Sequence, residues 1–325
     1  MKARIISLSD AIRDLRLGKC VAIPTETVYG LAANATSHEA VAKIFLLKGR
    51  PSFNPIIVHG ASQDELEAYA RFSPLARELA STFWPGPLTL VLPKRESIPD
   101  IVTAGRDTVG LRVPDHPLAL EVLRALPFPL AAPSANRSGR ISPTRAQDVL
   151  EEFYDQEVGV LDGGTCAIGL ESTVVYVPRD ASDVPVILRF GGISRDTLED
   201  FLKMKISVAN LERAPSALLS PGMLTSHYAP QKSLHFVPPD FSFTPPSRAG
   251  WIGYGSITPE GYTRMWNLSP STDSVQGAAL LFQALREFDN DLNVDVGFAW
   301  EWPPIGLGEA INDRLRRASR KKYLP

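Results

Sequence analysis

Cysteine is nearly absent: Cys20 and Cys166 cannot build a disulfide framework, and no Cys-x-x-Cys zinc pair exists. They read as two buried or half-buried thiols in a reducing compartment. No apolar run approaches the length of a membrane span. Residues 1–17 alternate charged with apolar side chains and do not form a secretory signal. The expected place is the cytoplasm. No charge of one sign dominates either, since 34 Lys and Arg face 36 Asp and Glu. Any nucleic-acid contact would need a local patch. Four chemical motifs are also absent: the Gly-x-x-x-x-Gly-Lys-Ser/Thr phosphate loop, Gly-x-Gly-x-x-Gly after a strand, His-Glu-x-x-His and Gly-x-Ser-x-Gly. A bound nucleotide would be held by scattered side chains.

What is present suits an ordinary α/β protein, with 44% apolar and 22% charged residues in 325. The spacing predicts a helix through Val41, Ile44 and Phe45 that stops at Gly49 and Pro51, then a short buried strand ending on His59. Helices are expected at 63–71, from Ser73-Pro74 to Phe83, and at 117–126. Strands are expected at 88–92, 108–114, 129–132, 158–161 and 186–189, with a loop at 94–106 and a helix at 196–203. Composition shifts near residue 206. Residues 207–232, rich in Pro and Gly, read as a linker. From 233 onward strand and helix alternate again, which predicts a small parallel α/β domain with its last helix at 308–320.

Polar residues concentrate in a few places. Residues 48–59 join Lys48, Arg50, Asn54 and His59. The two cations either complement a helix dipole or make a phosphate site. The loop 24–31 (Thr25, Glu26, Thr27) fits either hydrogen bonding to a small ligand or turn and cap chemistry. Arg112 shares a strand face with Thr108 and is either solvent-exposed or a bidentate anion clamp. The loop 133–144 carries Ser134, Asn136 and Ser142. It is either an anion cradle or an exposed loop with a helix cap at Ser142, before Pro143. The basic end of the last helix (Arg314, Arg316, Arg317, Arg320, Lys321, Lys322) reads as a solvated terminus or an RNA-phosphate patch.

Laid end to end, the stretches PTETVYGLAANA (24–35), KGRPSFNPIIVH (48–59), WPGPLTLVL (84–92), VGLRVPDHP (109–117), APSANRSGRISPT (132–144), GLESTVV (169–175), SPGMLTSHYAP (220–230) and GLGEAINDRLRRAS (306–319) resemble the YrdC-like family in its two-domain form. The resemblance implies a catalytic domain at 1–206, a twisted open sheet with flanking helices and a large concave site. It also implies a linker at 207–232 bearing a lid residue, and a smaller Rossmann-like domain at 233–325. The implied reaction condenses L-threonine, bicarbonate and ATP, with Mg2+, into L-threonylcarbamoyladenylate and pyrophosphate. That product would pass to a tRNA-modifying transferase complex, with direct tRNA binding left open and no membrane involved. Carried over by position, L-threonine would meet Thr27, His59, Arg112, Ala132 and Ser172. ATP would meet Arg50, Asn54, Thr108, Ser134, Asn136, Ser142, Arg189 and Tyr228. Lys48 and Arg50 would offset charge on the reacting phosphates. No residue is expected to be a dedicated metal ligand, and no general base is assigned. Tyr176 and Phe190-Gly191 depart from the family pattern of aspartate and proline near those positions. Two rival readings are carbamoyl transfer in hydrogenase maturation and a non-catalytic RNA-binding module. The first lacks its acylphosphatase-like segment and zinc-finger cysteines here; the near-neutral charge opposes the second.

Overall fold

The computed structural model describes residues 2–178, 184–209, 228–240, 243–256 and 259–319. The chain opens with β1 (Arg4–Ile6), α1 (Leu8–Arg16), β2 (Val21–Ile23), β3 (Gly30–Asn34), α2 (His38–Lys48) and β4 (Val58–His59). It continues with α3 (Gln63–Leu66), α4 (Pro74–Phe83), β5 (Leu88–Pro93), α5 (Asp100–Thr103), β6 (Thr108–Arg112), α6 (Pro117–Ala125), β7 (Leu130–Ala131) and α7 (Ala146–Glu152). Then come β8 (Gly159–Leu161), β9 (Thr173–Tyr176), β10 (Val186–Arg189), α8 (Arg195–Leu202) and β11 (Ser207–Val208). These strands form one mixed sheet in the order β1-β8-β2-β3-β7-β4-β6-β5-β9-β10-β11. A second, wholly parallel sheet follows, built from β12 (Ser233–Val237), β13 (Ala249–Gly253), β14 (Arg264–Asn267) and β15 (Val296–Trp300) in the order β12-β15-β13-β14. Its helices are α9 (Ser274–Asn290) and α10 (Gly308–Ala318).

Local chemistry explains the element ends that matter. Ser37 caps α2 by accepting from Ala40 N, and Gly49 ends it in the left-handed region at φ 58°, open to a residue without Cβ. Ser73 caps α4 in the same way, with Pro74 in its first turn. In β4 and β6 the parallel register sets Val58 beside Leu111 and His59 beside Arg112. Two polar side chains thus finish adjacent strands at one sheet edge. Each buries its apolar neighbours in a core shared with Val41, Ile44, Leu79 and Val160.

Several expectations change. The helix expected at 63–71 stops at Leu66, because Ala70 bridges Lys94 and Arg71 N bonds Pro93 O. The expected loop 94–106 contains α5, and the edge strand β14 was not anticipated. Ser142 caps no helix: α7 begins after Arg145, and the Asp148 carboxylate collects the Thr144 and Arg145 amides instead. The first residues of the expected linker form β11 beside β10. Residues 210–227, which include most of that linker with Ser226 and His227, lie outside the described residues. The last helix is not a solvated basic end: Arg314 and Arg317 are buried, and exposed Arg316 pairs with Glu301. Arg320, Lys321 and Lys322 lie outside the described residues.

The two sheets share one apolar seam. Val28, Ile141 and Leu170 pack with Leu281, Phe282, Leu285 and Tyr228 in a single buried cluster. Gly169, at φ 70°, lies against α9 so closely that a Cβ would stand 2.6 Å from Ala279 Cα. The seam runs beside the sheet edge that carries His59 and Arg112.

Candidate active site

A cavity of about 630 Å³, counted out to its solvent-open mouth, lies where these elements meet. It is lined by Thr27, Arg50, His59, Arg112, Ala132, Ser134, Ser172, Arg189 and Tyr228 among the residues singled out from sequence. Lys48, Asn54, Thr108, Asn136 and Ser142 do not line it.

One end is organised by Arg112. Its Nε donates to Gly86 O at 3.1 Å and its Nη1 to Thr27 Oγ1 at 2.9 Å. Nη2 lies 2.7 Å from Glu26 Oε1, a charge contact without hydrogen-bond alignment, so neither carboxylate oxygen has a hydrogen-bond partner among the described residues. Thr27 is braced by a 2.8 Å contact to Thr25 Oγ1, whose hydroxyl donates to Val28 O. Beside them His59 is held neutral. Burial, then the Arg112 charge, lowers its pKa from 6.5 to about 3. Ser172 Oγ shares a 2.8 Å hydrogen bond with Thr89 and accepts from Arg189 Nη2 at 3.1 Å.

The other end is more cationic. Arg50 donates from Nε to Asn54 O at 3.1 Å and from Nη2 to Pro55 O at 2.7 Å, which fixes its planar head at the cavity wall. Burial pushes its pKa down to about 9, against the opposing pull of Tyr228, with Arg189 adding a smaller lowering. Lys48 faces elsewhere. Its ammonium donates to Ser134 O at 2.6 Å and to Asn136 O, so it braces the back of the 134–136 loop. Burial, then neighbouring Arg50, lowers its pKa well below the ordinary lysine range. The Asn136 amide ties the same loop to Arg137 O and Arg140 O. Asn54 is buried. Thr108 is half-buried at the far end of β6, about 13 Å along the strand from Arg112.

Three charged groups outside the expected site residues prove central to it: Glu26, Glu171 and Arg314. Glu171 lines the cavity and accepts from Ser142 Oγ at 2.6 Å and Arg314 Nε at 2.8 Å. Burial alone would raise its pKa, but Arg314, Arg189 and the Ser142 hydroxyl outweigh it and hold the carboxylate at about 2. The signal was faint: Arg314 falls between Ala310, Ile311 and Ala318 on the apolar stripe of its helix, where a free cation would not be buried.

The residues do not fit a magnesium site built by the protein. Both carboxylates near the cavity already face arginines, and no cluster of three acidic, His or Cys ligands occurs among the described residues. Magnesium commonly arrives with substrate phosphates and keeps its waters. No helix among the described residues is long and apolar enough to cross a membrane.

An α/β sheet edge that closes on three arginines, a neutral histidine and threonine and serine hydroxyls defines an enzyme for small anionic substrates. Residues 13–191 match the Sua5/YciO/YrdC family model, described as "Telomere recombination", and residues 193–320 match the model described as "Threonylcarbamoyl-AMP synthase, C-terminal domain". The threonylcarbamoyl-AMP synthase of Pyrococcus abyssi is 42% identical over 320 residues, covering 94% of this chain and 92% of its own. That of Bacillus subtilis is 40% identical over 331 residues, covering 96% and 92%. The crystal structure of P. abyssi Sua5 complexed with L-threonine superposes with a TM-score of 0.85 at 39% identity, covering 98% of this chain and 96% of that one. The chain belongs to the threonylcarbamoyl-AMP synthase family in its two-domain form, and is an enzyme of the nucleotidyltransferase class.

Proposed function

We propose that this enzyme condenses L-threonine, bicarbonate and ATP to L-threonylcarbamoyladenylate and pyrophosphate, for threonylcarbamoyladenosine formation beside the tRNA anticodon. The observation that carries the reading is the shared cavity: Arg112, Thr27 and His59 line one part and Arg50 and Arg189 another. An amino-acid carboxylate can thus be clamped within reach of a triphosphate. Arg112 holds the threonine carboxylate, and Thr27, His59, Ser172 and the backbone at Ala132 orient its polar groups. The threonine amine joins bicarbonate with loss of water, giving a carbamate. A carbamate oxygen then attacks the α-phosphorus, and pyrophosphate leaves.

Two anions must approach, so fixed positive charge is the main catalytic resource. Arg50 and Arg189 supply it directly. Lys48 acts behind them, holding the loop of Ser134 and Asn136. Tyr228 completes the nucleotide side from the cavity wall, with magnesium arriving on the triphosphate; Asn54, Thr108 and Ser142 stand outside that wall and would serve ATP from behind it, Ser142 through Glu171. Tyr228 is buried and lines the cavity, and we assign it the part of a lid residue. In this division of labour residues 1–206 hold the chemistry, 207–232 connect the two domains and carry Tyr228 as the lid residue, and 233–325 support Tyr228. The product would pass to a tRNA-modifying transferase complex in the cytoplasm.

The test is pyrophosphate release from ATP with magnesium and bicarbonate, with L-threonine, with L-serine and with neither. Threonine-dependent release supports the reading. Release that ignores threonine overturns it.

A further inference from the structure

Arg314 is completely buried, although it comes from the last helix of the second sheet's domain. Its donors reach the first domain as a fork: Nε to Glu171 Oε2 at 2.8 Å and Nη2 to Phe190 O at 2.8 Å. The third nitrogen, Nη1, donates to Asp313 at 2.7 Å and fixes the orientation of the plane. The guanidinium also lies 5.2 Å from the centre of the Tyr228 ring, which stacks on Phe282 at 5.4 Å. Glu171 passes the constraint on, because its second oxygen accepts the Ser142 hydroxyl at 2.6 Å.

We propose that Arg314 is a positioning residue for the nucleotide side of the cavity. It acts through Glu171 on Ser142 and through its ring contact on Tyr228. The inference rests on the synthase reading and gives the second domain a defined part in it.

A plain domain tether would not need this chemistry. A buried ion pair is often no better for stability than a well-packed hydrophobic pair, because desolvation offsets the attraction. Arg195 and Glu309 already pair across the same two domains at 2.5 Å, partly exposed, and neither lines the cavity. What the Arg314 fork adds is direction. It fixes the Glu171 carboxylate, the Phe190 carbonyl next to Arg189, and the face of Tyr228. Lysine carries the charge but cannot make the planar fork. Of the threonine end, the Arg112 clamp lies outside this relay, held by Gly86, Thr27 and Glu26, whereas Ser172 adjoins Glu171 in the chain.

The test uses the full-length protein and separate calorimetric titrations of ATP with magnesium and of L-threonine. Arg314→Lys should weaken ATP about tenfold, the worth of one charge-assisted hydrogen bond. Threonine affinity should stay within about twofold, because no contact of its clamp changes. Arg195→Met, which breaks the partly exposed interdomain pair with Glu309, should leave ATP affinity within about twofold, as such pairs contribute little. Should Arg314→Lys fail to fold, Arg314→Met combined with Glu171→Gln removes both buried charges and should show the same selective loss. Unchanged ATP affinity in a folded variant, or equal loss for both ligands, would overturn the inference. Wild-type protein that bound neither ligand would overturn the synthase reading, and the inference with it.

Discussion

Glu26 and Arg112 form a buried charge pair, with Oε1 and Nη2 2.7 Å apart, and of the two only Arg112 lines the cavity. Glu26 therefore neutralises the guanidinium from behind while Thr27 and Gly86 O fix its plane. The clamp is preorganised before any ligand arrives, so less ordering has to accompany binding.

That arrangement predicts a sharp difference between removing Glu26 alone and removing the pair. Glu26→Ala leaves Arg112 buried without its counter-ion and should lower unfolding free energy by about 3–5 kcal/mol. Glu26→Ala with Arg112→Met should recover much of the loss. Urea unfolding of the four proteins of this cycle measures it, and equal losses in the single and double variants would count against the pair.

The clamp itself is tested by Arg112→Lys, which keeps charge and loses the fork. The KM for L-threonine should rise about ten- to hundredfold, the worth of a hydrogen bond to a charged group. The KM for ATP should change by less than about threefold, since the charge is kept and the phosphates are assigned to Arg50 and Arg189. Parallel rises in both constants would show that Arg112 does not separate the two substrates.

Acid should destabilise the fold in two stages. The unfolded chain protonates His59 near 6.5, but burial and Arg112 delay this in the folded chain to about 3. The unfolded state thus binds more protons between these values. Stability present above 6.5 is lost toward 3, by up to about 1.4 kcal/mol per pH unit. Glu171, held at about 2 instead of 4.5, adds a second loss as pH falls below 4.5. Urea midpoints should fall from roughly pH 7 to roughly pH 5, and His59→Asn should flatten that part of the curve. A variant with the wild-type slope would place the proton uptake elsewhere.

Gly191 approaches the cavity strand too closely for any side chain. A Cβ there would stand 2.3 Å from Glu171 O and 2.3 Å from Ser172 C, both backbone atoms. Gly191→Ala should displace Glu171 and Ser172 together and cost about 1–3 kcal/mol of stability. Activity should drop about a hundredfold, as misplacement of roughly 1 Å does. Near-normal turnover would mean that the start of β9 tolerates movement.

Much of the fold was legible wherever local chemistry and tertiary demand agreed. Ser73-Pro74 is helix-start chemistry in the sequence and starts α4 in the protein, and the alternation across 108–112 puts Arg112 on one strand face in both. Ser142 shows the opposite case: Ser-Pro is good helix-cap chemistry, yet the hydroxyl was taken by Glu171, a partner 29 residues away. Lys48 was legible as a cation at the end of α2, but not as a brace on carbonyls 86 and 88 residues further on. Arg314 was hidden for the same reason, since its partner Glu171 lies 143 residues earlier. Pairings at such separations leave no periodicity to read. Only the burial pattern of α10 hints that Arg314 must be satisfied.

The most direct test of the account is to follow the carbon of bicarbonate. Incubating the enzyme with ATP, magnesium, L-threonine and carbon-13 bicarbonate, then separating the products at once by liquid chromatography and mass spectrometry, should give threonylcarbamoyladenylate carrying the label and an equal amount of pyrophosphate. Omitting threonine should abolish both. Pyrophosphate formed without a labelled adenylate, or an adenylate lacking the label, would contradict it.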